Sequence, residues 1–203
     1  MENSKEEILQ RLYREVKKGG RGFQVDSVRP HLDIICDYAS RCRTVTEFGF
    51  GSGCVTAALV VSGCKNIHAY DIQLSATAHL VRETARECGI RLRMYCKDVL
   101  KTKISRTDLL FIDTDHWYYQ LKSELERHHK RVRRWIIIHS TETFGLMNPF
   151  DGRPGIKAAM YGFMDEHPEW ELREHISTGH GMTVLERSGK SSKTKRKNDE
   201  TDG

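Results

Sequence analysis

The sequence predicts an α/β domain with a mostly parallel seven-stranded sheet, helices on both faces and an antiparallel hairpin at its C-terminal end. Short apolar stretches of strand length alternate with longer stretches that have the period of amphipathic helices. Such alternation is typical of a parallel sheet that is covered on both faces. The last two predicted strands are separated only by a glycine-containing turn, and this indicates the hairpin.

The chain opens with two predicted helices. Apolar residues recur at helical spacing over residues 5–18, and the pattern stops at a pair of glycines. A second helix is predicted over residues 28–40, and we group residues 1–40 as an N-terminal helical cap. The first helix and the glycine-rich loop at 19–22 could together form a lid.

Strands and helices then alternate along the rest of the chain. The strands are predicted at 44–48, 66–70, 91–96, 108–112, 135–138, 170–176 and 182–186. The helices are predicted at 54–61, 75–87, 118–129 and 155–166. Because no internal repeat or linker-like stretch interrupts this order, residues 1–188 are expected to form one domain.

The composition is that of a globular protein, with 38% hydrophobic and 30% charged residues. Its apolar runs are too short to cross a bilayer, and its first residues lack the apolar stretch of a signal peptide. We therefore expect a cytoplasmic protein without a membrane partner. The six cysteines lack the spacing of a metal site, and we expect them to be reduced packing residues.

The formal net charge of +5 is unevenly distributed. Residues 189–203 carry basic and then acidic side chains without an apolar residue, so this tail is expected to be disordered. A second basic cluster spans residues 128–134. Either could bind nucleic acid, but for the second we favour a solvated helix end whose charges suit the helix dipole.

The strongest motif is T-E-F-G-F-G-S-G at residues 46–53, between the first predicted strand and a helix. Glycines at such a place permit a tight turn and a close approach of the backbone to a ligand. The motif does not match the dinucleotide-binding fingerprint, because Cys54 stands where that fingerprint requires a glycine, and no P-loop signature is present.

Asp71 follows about 20 residues later, where an acid can bind ribose hydroxyls or, alternatively, cap a helix. Asp98 could meet an adenine amino group or be a solvated loop acid.

These residues resemble motif I of the class I S-adenosylmethionine-dependent methyltransferases, which have a Rossmann-like fold. The resemblance implies S-adenosylmethionine as the cofactor. The predicted C-terminal hairpin agrees with that family rather than with an ordinary dinucleotide-binding sheet. By this resemblance, the amino acid part of the cofactor contacts Glu47, Gly49, Gly51 and Gly53. The ribose contacts Asp71, and the adenine contacts Asp98 and Val99.

Polar residues also gather at the ends of the fourth and fifth predicted strands. Residues 108–116 read D-L-L-F-I-D-T-D-H and place Asp113, Asp115 and His116 after one strand, while His139 ends the next. Ligands of open α/β sheets bind at the carboxyl ends of the strands, so we expect this group to face the cofactor, with Asp113 in contact with it. Helix capping by Asp115 and an ordinary buried role for His139 are the alternatives.

This half of the chain resembles a narrower branch, the cephalosporin hydroxylase-like or methyltransferase 24 type of O-methyltransferases. Motifs of that branch read like F-I-D-G-D-H and H-D-T, and the resemblance spans residues 24–187. It implies methyl transfer to a hydroxyl group of a small molecule or a sugar. Relatives often bind a divalent metal, for which the candidate ligands here are Asp113, Asp115 and His139. Ser140 replaces an acid of that motif, and this weakens the case for Mg²⁺, which prefers oxygen ligands.

A hydroxyl acceptor loses its proton as it is methylated, and histidine is suited to accept a proton at neutral pH. We predict His116 as the general base and His139 as the second candidate. Asp113 would orient the base or hold a metal. The aromatic residues 117–119 could line the acceptor, although packing of the following helix is favoured.

Other functions stay open at this point. The basic tail and residues 128–134 suggest an RNA or DNA methyltransferase, although the [DN]-P-P-[YFW] signature of amino-group methylation is missing. Ser140 would also be compatible with a non-catalytic partner protein that keeps the cofactor fold. A nicotinamide oxidoreductase is disfavoured by Cys54. A homodimer is left open.

Overall fold

A computed structural model describes residues 4–23 and 27–189 of the chain. Within these ranges, seven strands form one sheet. The strands are β1 (Thr44–Phe48), β2 (Asn66–Asp71), β3 (Arg91–Cys96), β4 (Thr107–Ile112), β5 (Val132–His139), β6 (Trp170–Ile176) and β7 (Met182–Arg187). The tail predicted to be disordered lies outside the described residues from position 190 onward.

Helices cover the sheet, and in the described ranges they are α1 (Lys5–Lys18), α2 (Leu32–Ser40), α3 (Cys54–Val61), α4 (Thr77–Glu87), α5 (Tyr118–His128) and α6 (Ile156–Glu166). Short 3₁₀ turns occur at Arg29–His31, Val99–Lys101 and His129–Arg131. Of the helices in these ranges, none has the length and apolar character needed to cross a membrane.

The strand order is β3-β2-β1-β4-β5-β7-β6. Strands β1 to β5 are parallel, whereas β7 pairs antiparallel with β5 on one side and with β6 on the other. The strand order reverses between β1 and β4, and ligands of open α/β sheets bind at the carboxyl ends of strands beside such a point. The predicted fold class is confirmed, including the C-terminal hairpin.

Apolar side chains form a separate core on each face of the sheet. On one face, α1 to α4 pack against residues such as Val45, Leu109 and Ile137. On the other face, α5 and α6 pack against residues such as Leu110 and Ile136. Successive residues of a strand point to opposite faces, so the unbroken apolar runs of β4 and β5 serve both cores.

The N-terminal helices belong to the first of these layers. Ser4 and Glu7 form a capping box at the start of α1, and Gly19 ends the helix in the left-handed conformation. The predicted helix at 28–40 begins as a 3₁₀ turn that contains Pro30 near its start, and α2 follows from Leu32.

Strand β5 begins at Val132, earlier than predicted. The predicted start was too late because two arginines interrupt the apolar pattern of the strand. Arg133 pairs with Asp108 at 2.8 Å, and the Arg134 guanidinium lies 3.7 Å from the centre of the Trp135 ring. Their aliphatic stems and charged heads can lie along the sheet surface while the strand continues.

The solvated helix end expected at residues 128–134 is wrong for its two histidines. His128 and His129 are buried, and Nε2 of His128 donates to the carbonyl oxygen of Val99 at 3.0 Å. Burial lowers the pKa of both, and that of His129 falls to about 4 with the help of the neighbouring His167. These two residues therefore carry no basic surface.

All six cysteines are free. Cys42, Cys54, Cys64 and Cys88 are buried, as expected for packing residues, and burial raises the pKa of Cys42 to about 12. Cys96 is exposed, so the expected packing role is wrong for that residue.

Candidate active site

The predicted site residues lie together at one edge of the sheet. Strand β1 leads into the glycine turn, β2 ends at Asp71, β4 leads into Asp113 and β5 ends at His139. Because β1 pairs in parallel with both β2 and β4, and β4 with β5, these four strand ends are neighbours.

The glycine turn uses two of its glycines for different reasons. Gly49 has a φ of 89°, and a Cβ there would lie 1.9 Å from the carbonyl oxygen of Asp113. A side chain would therefore push the ends of β1 and β4 apart. Gly51 has a φ of 50°, but a Cβ there would meet no described atom within 4 Å. The space beside Gly51 is open, so a ligand can approach the backbone closely.

Asp71 connects the second strand to this turn. The backbone N–H of Gly51 donates to its Oδ2 at 3.1 Å, and that of Gln73 donates to its Oδ1 at 3.0 Å. The alternative role as a helix cap is not supported, because α4 begins at Thr77 and Ala76 precedes it. A carboxylate offers about four lone-pair sites, so Asp71 can accept further hydrogen bonds.

Glu47 is a carboxyl group with no exposed surface, two residues before the turn. The Thr56 hydroxyl donates to its Oε2, while Oε1 has no hydrogen-bond partner among the described residues. Burial raises the pKa of Glu47 to about 8, and the charges of Asp71 and Asp113 act in the same direction. A buried polar atom without a partner destabilises the fold, so Oε1 is a place where a cationic ligand group would be stabilised.

Asp98 and Val99 follow β3 at the same edge. Asp98 caps the 3₁₀ turn by accepting from the N–H of Leu100 at 2.8 Å, and its other oxygen lies 3.2 Å from Nζ of Lys101. Val99 is buried in the core that α5 and α6 cover. The predicted contact of Asp98 with adenine stays a prediction.

The structure brings Asp113, His116 and His139 together. Nε2 of His116 and Nδ1 of His139 each donate to Oδ1 of Asp113, both at 3.1 Å. Burial would raise the pKa of Asp113, but the two histidine hydrogen bonds outweigh it and hold that pKa well below its usual range. Asp113 is therefore the anionic centre of this group.

The two histidines differ in their access to solvent. The side chain of His116 is 26% exposed and stacks on the ring of Phe144 with centroids 4.4 Å apart. The side chain of His139 has no exposed surface, and its Nε2 has no partner among the described residues. His31, a buried residue that no sequence motif singled out, packs edge-on against His139 with centroids 5.3 Å apart.

A small pocket opens over this group. It is lined by Ile112, Asp113, Thr114, Asp115, His116, Leu121, Glu124, Ile138, His139 and Ile156. Ser140 follows at the end of β5 with a φ of 62°, a conformation that costs a residue with a side chain about 1 kcal/mol or more. Non-glycine residues in such conformations cluster at functional sites.

The predicted set of metal ligands differs from the observed one at Asp115 and His116. Asp115 is exposed and lies outside the group of closely spaced ligand atoms. His116 belongs to that group, although it was not among the predicted metal ligands.

Of the aromatic residues 117–119, Tyr118 packs against the core, but Trp117 and Tyr119 are exposed. The favoured packing role therefore holds for Tyr118 alone.

Glu124 is a site residue that the sequence analysis missed. It is buried on α5, where the Thr114 hydroxyl and the Gln120 amide donate to its Oε1 at 2.7 and 2.8 Å. Burial raises the pKa of Glu124 to about 7, and the charge of Asp115 contributes. Its position on the apolar face of the helix, between Leu121 and Leu125, was the available signal.

No protein-family model matches the chain, and no curated protein matches its sequence significantly. Solved structures do share its fold. The N-methyltransferase NodS from Bradyrhizobium japonicum, in complex with S-adenosyl-L-homocysteine, is 13% identical with a TM-score of 0.62, covering 90% of this chain and 99% of that chain. Magnesium protoporphyrin IX methyltransferase from Synechocystis, with bound S-adenosyl-L-homocysteine, is 14% identical with a TM-score of 0.60, covering 88% and 94%. An O-methyltransferase family protein from Burkholderia thailandensis is 13% identical with a TM-score of 0.58, covering 92% and 60%. At these identities the similarity establishes the shared fold.

Proposed function

We propose that this protein is an S-adenosylmethionine-dependent methyltransferase that acts on a hydroxyl group of a small molecule or a sugar. The observation that carries the proposal is the open glycine turn at the switch point of the sheet, next to the Asp113–His116 pair. Similar folds with bound S-adenosyl-L-homocysteine support it.

The residues of this chain fit the cofactor at three points. The unpartnered Oε1 of Glu47 suits the ammonium of its amino acid part, and the open space at Gly51 admits a ligand against the backbone. Asp71 keeps lone pairs for ribose hydroxyls. When bound, S-adenosylmethionine supplies a methyl group that is already activated by its sulfonium charge.

His116 is the proposed general base. Its Nε2 is hydrogen-bonded to Asp113, so Nδ1 is the nitrogen available for the acceptor's proton. Asp113 is a positioning residue, because its anionic oxygen fixes the tautomer and direction of the imidazole and stabilises it once protonated. His139 holds the same oxygen from the buried side and is a second positioning residue. Because the side chain of His139 has no exposed surface, His116 is favoured as the base.

A shared metal is the second possibility for this group. The candidate ligand atoms of Asp113, His116 and His139 all lie within 4.8 Å of one another. Two imidazoles and one carboxylate suit zinc or iron better than Mg²⁺, which prefers oxygen. Retention of methyl transfer after thorough chelation would favour the direct base, and its loss with recovery on adding one metal would favour the metal.

A nucleic acid acceptor is less favoured than a small molecule. In the stretch 128–134, His128 and His129 are buried and Arg133 pairs with Asp108, so only part of this basic cluster offers free positive charge. A steep fall of polynucleotide binding with salt would reverse this preference.

The proposal is tested by calorimetric titration of the full-length protein with S-adenosyl-L-homocysteine. Gly51→Ala is compared with Gly63→Ala, because both glycines have positive φ and open surroundings while Gly63 lies away from the site. Both substitutions cost about 1 kcal/mol of backbone strain. We expect Gly51→Ala to weaken binding at least tenfold and Gly63→Ala to leave it unchanged. Absence of binding to the folded wild type would remove the proposed function.

The acceptor is then sought with methyl-labelled cofactor and a panel of sugars, phenols and cell extract. Label on a hydroxyl oxygen supports the proposal. Label on a nitrogen would retain the cofactor assignment and correct the acceptor.

A further inference from the structure

We infer that Glu126, His129 and His167 form a binding site for a divalent transition metal, best suited to Zn²⁺, at the amino edge of the sheet. The site lies away from the proposed active site and is independent of methyl transfer. The candidate ligand atoms of the three residues all lie within 4.8 Å of one another.

The chain brings these residues together through the ends of two packed helices. Glu126 lies in the last turn of α5, and His129 follows three residues later in the 3₁₀ turn. His167 is the C-cap of α6, where Pro168 comes next and disfavours further helix. Strand β5 starts just after the 3₁₀ turn, so the site lies at the edge opposite to Asp113.

The spacing of the polar atoms is close to that of a coordinated metal. Nε2 of His167 lies 3.1 Å from each carboxylate oxygen of Glu126. Zinc binds imidazole nitrogen and carboxylate oxygen at about 2.0–2.2 Å, so neighbouring ligand atoms of a tetrahedral site lie roughly 3.3 Å apart. Small side-chain shifts would be enough to enclose an ion.

His129 is the observation that points to a ligand. It is 1% exposed, and neither of its ring nitrogens has a hydrogen-bond partner among the described residues. Buried polar atoms without any partner are uncommon, and each demands an explanation such as an ion. The Glu126–His167 pair alone satisfies those two side chains and leaves His129 unexplained. Coordination would give one of its nitrogens a partner.

The surroundings supply a further acid and an aromatic wall. Oε1 of Glu169 lies 3.8 Å from Nδ1 of His129, where it could become a fourth ligand in place of water. The Phe163 ring packs against both His129 and His167, with centroids 5.3 and 4.7 Å away. Two imidazoles with carboxylates are typical of zinc rather than of Mg²⁺ or Ca²⁺.

An ion at this place would join the carboxyl end of α5 to that of α6. The opposite ends of the same helices supply Leu121 and Ile156 to the pocket at the proposed active site. We therefore expect zinc to stabilise the fold and to leave the chemistry of methyl transfer to the other edge.

The test measures Zn²⁺ binding to full-length protein after chelation and removal of the chelator. The protein carries Asp113→Asn throughout, which removes the carboxylate from the three candidate ligands of the active-site cluster and so weakens any metal binding there. In this background we compare Glu126→Gln and His167→Ala with Glu166→Gln, a control that removes an exposed acid from the end of α6. Each form is titrated with Zn²⁺ by calorimetry and with Co²⁺ by visible absorption.

We expect one zinc per chain in the Asp113→Asn background and in the Glu166→Gln control. Removing a residue that only supports a metal ligand weakens metal binding by about 10–100-fold. Loss of a direct ligand should therefore weaken zinc binding by about 100-fold or more. A free zinc concentration of about 100 times Kd should raise Tm by roughly 5–10 °C, and this shift should vanish in both ligand variants.

No zinc binding in the Asp113→Asn background would overturn the inference. Equal affinity in Glu126→Gln, His167→Ala and the control would do so as well. Binding of S-adenosyl-L-homocysteine is measured separately on the wild-type protein, so failure of the zinc site is distinguishable from failure of the proposed function.

Discussion

The two histidine–carboxylate clusters of this protein lie at opposite edges of one sheet and differ in how their polar atoms are partnered. At the carboxyl edge, Asp113 accepts from both of its histidines, and the outer histidine is accessible. At the amino edge, His167 and Glu126 pair with each other, while His129 is buried without a hydrogen-bond partner among the described residues. A connected group with an accessible histidine suits proton transfer, whereas a group with a buried histidine whose nitrogens lack hydrogen-bond partners suits an ion.

The position of each cluster agrees with this difference. Loops extend from the carboxyl ends of parallel strands, so ligands of open α/β sheets bind there. The amino edge is formed by helix ends and short connections, where a metal would act on stability.

Replacing His116 by alanine should reduce methyl transfer by about 10²–10⁴-fold, the usual contribution of a general base. The affinity for S-adenosyl-L-homocysteine should stay at the wild-type value, since none of the proposed cofactor contacts is removed. Single-turnover rates and calorimetry measure the two effects. His79→Ala, an exposed histidine on α4, is the control. Wild-type turnover in His116→Ala would exclude His116 as the base.

Asp113→Asn should lower kcat by about 100-fold, because the imidazole loses the anion that holds it in place. KM for the acceptor should change little. Asp115→Asn should behave like the wild type, since the exposed Asp115 lies outside the cluster. The reverse ranking of the two variants would mean that the acids have been assigned to the wrong roles.

Much of the fold and part of the candidate site were predictable from the sequence. The strand lengths, the glycine turn and the acids after β2 and β4 were predictable, because period and spacing determine which residues end neighbouring strands. The sequence also placed His116 and His139 at one edge. It did not show that both would bond to the same oxygen of Asp113, since that depends on side-chain directions across two strands.

Long-range contacts explain the residues that were missed. Glu126 and His167 are 41 positions apart, so no local pattern joins them. The predicted solvated basic cluster included His128 and His129 because the sequence does not tell a buried histidine from a solvated one. His31 reaches His139 only through the packing of the N-terminal helices on the sheet.

Glu47 should make stability depend on pH. Burial raises its pKa from 4.5 to about 8, so the folded protein binds this proton more tightly than the unfolded chain does. The resulting stability is complete below about pH 4.5 and is lost as the pH rises to about 8. The free energy of unfolding of the wild type should therefore fall by roughly 3–4 kcal/mol from pH 5 to 8, and Glu47→Gln should abolish this change, as measured by denaturant unfolding in the absence of ligand. Identical pH profiles for the two proteins would contradict the altered pKa.

The smallest effects should come from replacing the buried histidine of each cluster by phenylalanine. His139→Phe removes a donor from the anionic Asp113 and should lower the free energy of unfolding by about 2 kcal/mol. His129→Phe removes unpartnered nitrogens and should leave metal-free protein unchanged or about 1 kcal/mol more stable. Unfolding in the presence of chelator compares them. Equal destabilisation by both would remove the distinction between the clusters.

The most direct test of the central claim is a crystal structure of the full-length protein grown with S-adenosyl-L-homocysteine. We expect the ligand against Gly51, with its ribose hydroxyls on Asp71 and its ammonium toward Glu47. Ligand density at another place, or an empty glycine turn at saturating ligand concentration, would contradict the assignment of this turn as the cofactor site.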